Sequence, residues 1–204
     1  MQPRATVLFQ GDSITEAGRD RTRPGELGHG YAALAAAALP GAPQVLNRGV
    51  GGDRLTDLRE RWEADTLAHR PALVSVLIGI NDTWRRHDQG LPSPVGTWER
   101  DYHLLLTGLR EHCAPRLLLI EPFLLPVRAE QWSWRADLDT RIQAVRRLAT
   151  AHDARLLAAD GLLNQAARTA GDPTLIAADG VHPTPLGHRL LADAWLALAA
   201  TPNT

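Results

Sequence analysis

Short apolar runs that alternate with longer amphipathic stretches constrain this chain more than any other feature. The runs fall at residues 6–9, 44–46, 73–78, 117–120 and 155–158. They read as nearly continuous apolar segments, the pattern of strands buried on both faces of a parallel sheet. Residues 31–39, 55–69, 97–112, 133–152 and 186–200 are predicted as helices between and after them. In the fourth helix, Leu138, Ile142, Val145 and Leu148 recur at three- and four-residue spacing and make one buried stripe. Pro40-Gly41 ends the first. Strands alternating with helices imply right-handed crossovers and a three-layer α/β sandwich.

Nothing in the composition interrupts that pattern. There is no repeat, low-complexity linker or composition break, so the 204 residues are read as one domain, large enough for a real core. Charge is balanced at −1 with both signs interspersed, which points away from nucleic acid and from an anionic membrane surface as partners. No apolar run approaches the roughly 20 residues of a membrane span. The first strand is expected by about Thr6, which leaves no room for a signal peptide and makes a cytoplasmic, soluble protein the expectation. The lone Cys113 has no internal disulfide partner and reads as a small, partly buried residue at a helix end.

Four separated segments then carry the chemistry: Gly11-Asp12-Ser13-Ile14-Thr15, Gly51-Gly52-Asp53, Gly79-Ile80-Asn81-Asp82 and Asp179-Gly180-Val181-His182-Pro183. The first three follow predicted strands, and ligands of open α/β sheets bind beyond the carboxyl ends of strands. Ser13, Gly52 and Asn81 should therefore share one rim, with the loop before the last helix folding back over it. Ser13 is the candidate nucleophile, with a helix N-cap as its alternative role. A serine hydroxyl needs a base within hydrogen-bond reach. Of the eight histidines, His182 has an aspartate, Asp179, three residues earlier and a proline directly after. It is the candidate base, with Asp179 fixing its tautomer and orientation. His188 is the nearest competitor, assigned to packing or capping. His69, His87, His103, His112 and His152 mostly lie on polar faces or helix ends and are expected in solvent. The oxyanion donors are the Gly52 N–H, with Gly51 as the alternative, the Asn81 amide and the Ser13 N–H. Asp12, Asp53 and Asp82 are assigned structural roles, Asp12 and Asp53 by holding nearby backbone N–H groups and Asp82 by bracing the Asn81 loop. No metal or other cofactor is expected, and full activity in EDTA follows. A histidine base predicts a rate that falls below about pH 6–7.

These blocks resemble the SGNH branch of the GDSL hydrolases, defined by Ser, Gly, Asn and His in four segments, from Leu8 to about Trp195 here. The resemblance implies a five-stranded sheet of flavodoxin-like order. Within the family, Gly18-Arg19, Leu27-Gly28-His29-Gly30-Tyr31 and Asn81-Asp82-Thr83-Trp84-Arg85 look like the intracellular acetylxylan esterases. That implies a small acyl group, a xylo-oligosaccharide alcohol, intracellular use and assembly into homo-oligomers. One departure is Ala178, which stands where those esterases carry a Trp before the catalytic Asp.

The chain has six Trp against two Phe and two Tyr, and aromatic faces stack on sugar rings. Trp84 is a candidate for substrate contact or for loop packing, and Arg85 for sugar hydroxyls or for pairing with Asp88. Trp132 and Trp134, placed in a loop, are assigned to substrate or to a subunit interface. Trp62, Trp98 and Trp195 are assigned to the core. His29 is left open because its loop should pass near the site. Two other readings stand beside the acetyl esterase: a lipid-type lysophospholipase or thioesterase with the same catalytic residues, and a sugar-binding module with a dead site.

Overall fold

The computed structural model describes residues 5–200. Five strands, β1 (Thr6–Gly11), β2 (Gln44–Gly49), β3 (Leu73–Leu77), β4 (Arg116–Ile120) and β5 (Arg155–Leu157), form one sheet in the order β2-β1-β3-β4-β5. All neighbours are parallel, with Leu8 of β1 opposite Leu46 of β2 and Val74 of β3. The sheet is the flavodoxin-like arrangement implied by the motif blocks.

The strand period of two divides the core between two faces. Val7, Phe9, Leu73, Leu77, Leu118 and Ile120 point into one cluster, while Leu8, Val74, Val76, Leu117 and Leu119 point into the other. The first face is covered by α1 (Ser13–Glu16), α2 (Tyr31–Ala38), α8 (Ala159–Ala170) and α9 (Pro185–Ala200). The second is covered by α3 (Leu55–Glu60), α4 (Trp62–Asp65) and α6 (Val95–Cys113), and α7 (Arg135–Ala151) packs into both clusters. Each fully buried Leu or Phe here contributes roughly 1.5–3 kcal/mol. Phe9 is held by Trp195 at 4.8 Å and Tyr31 at 5.7 Å between ring centroids. Ser75, a polar residue inside β3, is satisfied by the Trp195 indole N–H at 2.9 Å. Trp62, Trp98 and Trp195 are all buried.

Three helices escape the periodicity argument. The Asn81 segment, read as a loop, is the first turn of α5 (Ile80–Gln89), whose sequence is too polar to show a buried stripe. The second is α1, a single turn, and the third is α8. The predicted helix 55–69 breaks into α3, α4 and a 3-10 turn, Leu67–His69. The break falls at Arg61 (φ −104°, ψ 4°), whose guanidinium leaves for the Gly11 and Arg48 carbonyls and for Asp53, Gln10 and Asp65. Those tertiary bonds outweigh continuation of the helix. Trp132 and Trp134 lie in a 3-10 turn, Ala129–Trp134, and α7 begins only at Arg135. His152 is also corrected. It caps α7 but is buried against α6, with its Nε2 2.9 Å from His103 Nδ1. Burial first, then His103 and Arg110, push its pKa down.

Candidate active site

The candidate nucleophile sits on a shelf built by the sheet. β1 ends at Gly11, Asp12 caps α1, and Ser13 is the first residue of that turn. The Asp12 carboxylate accepts from the Ile14 N–H at 3.0 Å, as Asp does at an N-cap. The Asn47 amide of β2 donates to the Thr15 carbonyl at 2.7 Å and the Leu27 carbonyl at 2.8 Å, tying shelf to sheet. Thr15 and Asp12 are fully buried, whereas Ser13 is only partly covered.

The loop ahead of α9 returns to this shelf. Ser13 Oγ lies 2.9 Å from His182 Nε2, and His182 Nδ1 lies 2.7 Å from Asp179 Oδ2. The other oxygen, Asp179 Oδ1, accepts from the backbone N–H of Val181 at 2.9 Å and of His182 at 2.7 Å. With Nδ1–H given to the carboxylate, Nε2 presents its lone pair to the Ser13 hydroxyl. The Asp179 hydrogen bond raises the His182 pKa above its ordinary value, against partial burial that lowers it. Partial burial opposes ionisation of Asp179, but the ring and the two N–H groups together hold its carboxyl far below the usual range.

The two glycines of the second block separate cleanly. The Gly51 N–H is taken by the Glu16 carboxylate at 2.8 Å. Gly52, at φ 85°, is exposed, and its N–H has no partner among the described residues. A Cβ added at Gly52 would meet nothing within 4 Å, so space for a ligand lies beside it. Asn81 is buried, and its Nδ2 donates to the Asp53 carbonyl at 3.1 Å. An amide has two N–H donors, so that bond orients the group and leaves one hydrogen for another acceptor.

The remaining aspartates hold the frame. Asp82 accepts from the Leu55 N–H and from Ser93 Oγ, both at 3.1 Å, and burial raises its pKa. Asp53 pairs with Arg61 at 2.7 Å, a guanidinium in place of the backbone N–H expected from sequence. Asp12 stands apart: burial pushes its pKa up to about 7, against the Ile14 N–H and the His182 charge, and one of its oxygens has no partner.

His188 is buried, and its Nδ1 accepts from the Tyr31 N–H at 3.2 Å, so it packs as expected. Burial, then His29 and His182, push its pKa down to about 4. The Trp84 ring lies 6.2 Å from the His182 ring and 5.6 Å from buried Trp134, so it both packs and borders the site. Arg85 pairs with Asp88 at 2.7 Å and stacks over Trp84 at 5.3 Å. His29 is exposed in the loop beside Gly18. Trp132 is 64% exposed. Ala178 is exposed directly before Asp179. Sequence reasoning missed Glu16, which also binds Arg21, and Arg61, which joins the ends of β1 and β2 to Asp53. The Glu16–Gly51 and Arg61–Gly11 bonds span 35 and 50 residues, with no motif to reveal the pairing.

A parallel sheet with helices on both faces carries a hydrogen-bonded serine, histidine and aspartate at its carboxyl edge, the arrangement of the serine hydrolases. The chain belongs to the GDSL-like lipase/acylhydrolase family, whose model matches residues 9–190. It is 33% identical to the acetylxylan esterase of Geobacillus stearothermophilus over 93% of this chain and 91% of that one. The solved structure of that organism's acetylxylan esterase Axe2 superposes with a TM-score of 0.86 at 30% identity, covering 99% and 98% of the two chains. A candidate GDSL-like lipase from Parabacteroides merdae superposes with a TM-score of 0.90 at 33% identity, covering 97% and 96%. Among the described residues, no helix is long and apolar enough to cross a membrane.

Proposed function

We propose that this chain removes acetyl groups from acetylated sugars, xylo-oligosaccharides first among them, using Ser13, His182 and Asp179. The observation that carries the reading is the continuous Ser13–His182–Asp179 relay, 2.9 and 2.7 Å per link. Ser13 Oγ attacks the acetyl carbonyl carbon while His182 Nε2 takes its proton. The tetrahedral oxyanion receives hydrogen bonds from the Ser13 N–H, the Gly52 N–H and the second Asn81 amide hydrogen. His182 then protonates the leaving sugar oxygen, and Ser13 is left acetylated. Water, deprotonated by His182, attacks the acetyl carbonyl; acetate departs and Ser13 regains its proton. Asp179 keeps its negative charge throughout and stabilises the imidazolium.

Support for the sugar comes from Trp84 beside His182 and from the likeness to acetylxylan esterases. Residues 1–204 act as one hydrolase unit in this reading. A cytoplasmic site of action and a homo-oligomeric state go with it, on the resemblance of the motif blocks to intracellular members. The test is acetate release from acetylated xylo-oligosaccharides beside a series of p-nitrophenyl esters of growing acyl length. Release lost in Ser13→Ala, with acetate preferred over longer acyls, is the expected result. Turnover that rises with acyl length, without acetate release from the sugars, would return the lipid-type reading.

A further inference from the structure

Gln131 is a fully buried polar residue that the reaction itself does not use. Its Oε1 accepts from the Val127 N–H at 2.8 Å and the Arg128 N–H at 3.2 Å. Its Nε2 donates to the Asp179 carbonyl at 2.7 Å, joining two loops 48 residues apart. A buried amide is costly unless its groups are paired, and this one is paired to backbone on both sides.

The next residue closes the same seat. Gly180 has φ 88°, and a Cβ there would lie 2.6 Å from the Leu125 carbonyl and 2.9 Å from Gln131 Oε1. Only glycine fits both that backbone and that gap. The Leu125 N–H returns a bond to the Gly180 carbonyl at 2.9 Å. The loop after β4 thus grips two successive carbonyls, those of Asp179 and Gly180. The side chains they carry need that grip, because Asp179 and His182 are 42% and 45% exposed and packing alone does not fix them.

We propose that Gln131 is a positioning residue: by holding the Asp179 carbonyl it sets the carboxylate–imidazole geometry that keeps His182 aimed at Ser13. This rests on the roles given above to Ser13, His182 and Asp179. Gln131 touches neither the substrate nor the reacting atoms. The charged or titratable groups that face His182 are Asp179 on its own loop, Asp12 at the head of α1 and His188 on α9. Substituting Gln131 changes none of them, so a moved His182 titration reports geometry.

The test is Gln131→Met in the full chain, read by p-nitrophenyl acetate kinetics across pH and by NMR titration of the His182 ring. The expected result is a fall in kcat of roughly 10- to 100-fold with KM within about twofold. The His182 pKa and the acid limb of the profile should both move down, as the ring loses its Asp179 contact. A merely structural role would lower activity by one factor at every pH, in proportion to the fraction of sites titrated by a fluorophosphonate. That result, or a His182 titration identical to wild type, overturns the proposal. If Gln131→Met does not fold, Gln131→Asn decides. It keeps a neutral amide that is one methylene too short to reach from the Val127 and Arg128 N–H groups to the Asp179 carbonyl, so kcat per titrated site should fall and an unchanged value refutes the idea. Wild-type protein without Ser13-dependent hydrolysis would sink the functional reading instead, and the NMR titration would still judge Gln131.

Discussion

The two halves of the site are built in opposite ways. The shelf that carries Ser13, the candidate nucleophile, grows out of the sheet: Asp12 and Thr15 are buried, and Asn47 bonds the α1 backbone from the neighbouring strand. The histidine half hangs on a loop, with the Asp179 and His182 side chains nearly half exposed. Their carboxylates show the consequence. Asp12, in an almost dry setting with a single N–H donor, has its pKa pushed up to about 7. Asp179, offered the His182 ring and two backbone N–H groups, stays ionised far below that. A carboxylate serves as a permanent negative partner when donors surround it, and burial alone makes it a weak acid. The shelf is stiff by packing, and the loop is held by hydrogen bonds.

The largest effect should come from the shelf. Ser13→Ala should lower kcat by about 10⁶-fold with the fold intact, measured by p-nitrophenyl acetate turnover alongside thermal melting. Residual activity within a few-fold of wild type would remove Ser13 from the reaction. In the loop, Asp179→Asn should cost on the order of 10⁴-fold, because the imidazole loses its tautomer control. An effect under tenfold would show that the exposed pair matters less than its geometry suggests. Asn81→Ala should cost about 10²–10³-fold in kcat with little change in KM, the signature of a donor used in the transition state. Equal losses in substrate affinity would reassign Asn81 to ground-state binding.

The pH profile sharpens the same contrast. Asp179 raises the His182 pKa above its ordinary 6.5, so the acid limb of kcat/KM should lie above that value, with activity lost as pH falls through it. In Asp179→Asn the limb should move to lower pH. A limb unchanged by that substitution would deny the loop its electrostatic role.

The smallest effect concerns stability. Asp12 binds its proton more tightly in the folded than in the unfolded chain, from 3.8 up to about 7. Stability from this group is complete below the unfolded value and is lost as pH rises through about 7. The melting temperature of Asp12→Asn relative to wild type should therefore rise between pH 4.5 and 8. A difference independent of pH would mean that Asp12 is ionised in the fold.

The same division decided what could be read from the chain. All five strands were legible as short apolar runs, the clearest where burial on both faces is complete, as in Leu73–Leu77, although the edge strands β2 and β5 are only partly buried. Ser13, Gly52, Asn81, Asp179 and His182 could be nominated from the sequence because each sits in a short local block. The structure brings Ser13, His182 and Asp179 into one relay and leaves the Gly52 N–H unengaged beside open space. The supports were not legible. Glu16 to Gly51, Arg61 to Gly11 and Gln131 to Asp179 are tertiary hydrogen bonds between distant residues, and periodicity carries no trace of them. Helix α5 was hidden for a related reason: its exposed face is charged, and three of its four buried residues, Asn81, Asp82 and Thr83, are polar, with only Ile80 apolar. Trp84 was left between packing and substrate, and it stands between buried Trp134 and the His182 ring.

The most direct measurement is intact-protein and peptide mass spectrometry after reaction with a fluorophosphonate. A single adduct is expected, on Ser13, absent from Ser13→Ala and formed far more slowly in His182→Ala. No adduct on the folded wild-type protein, or one that persists in Ser13→Ala, would contradict it.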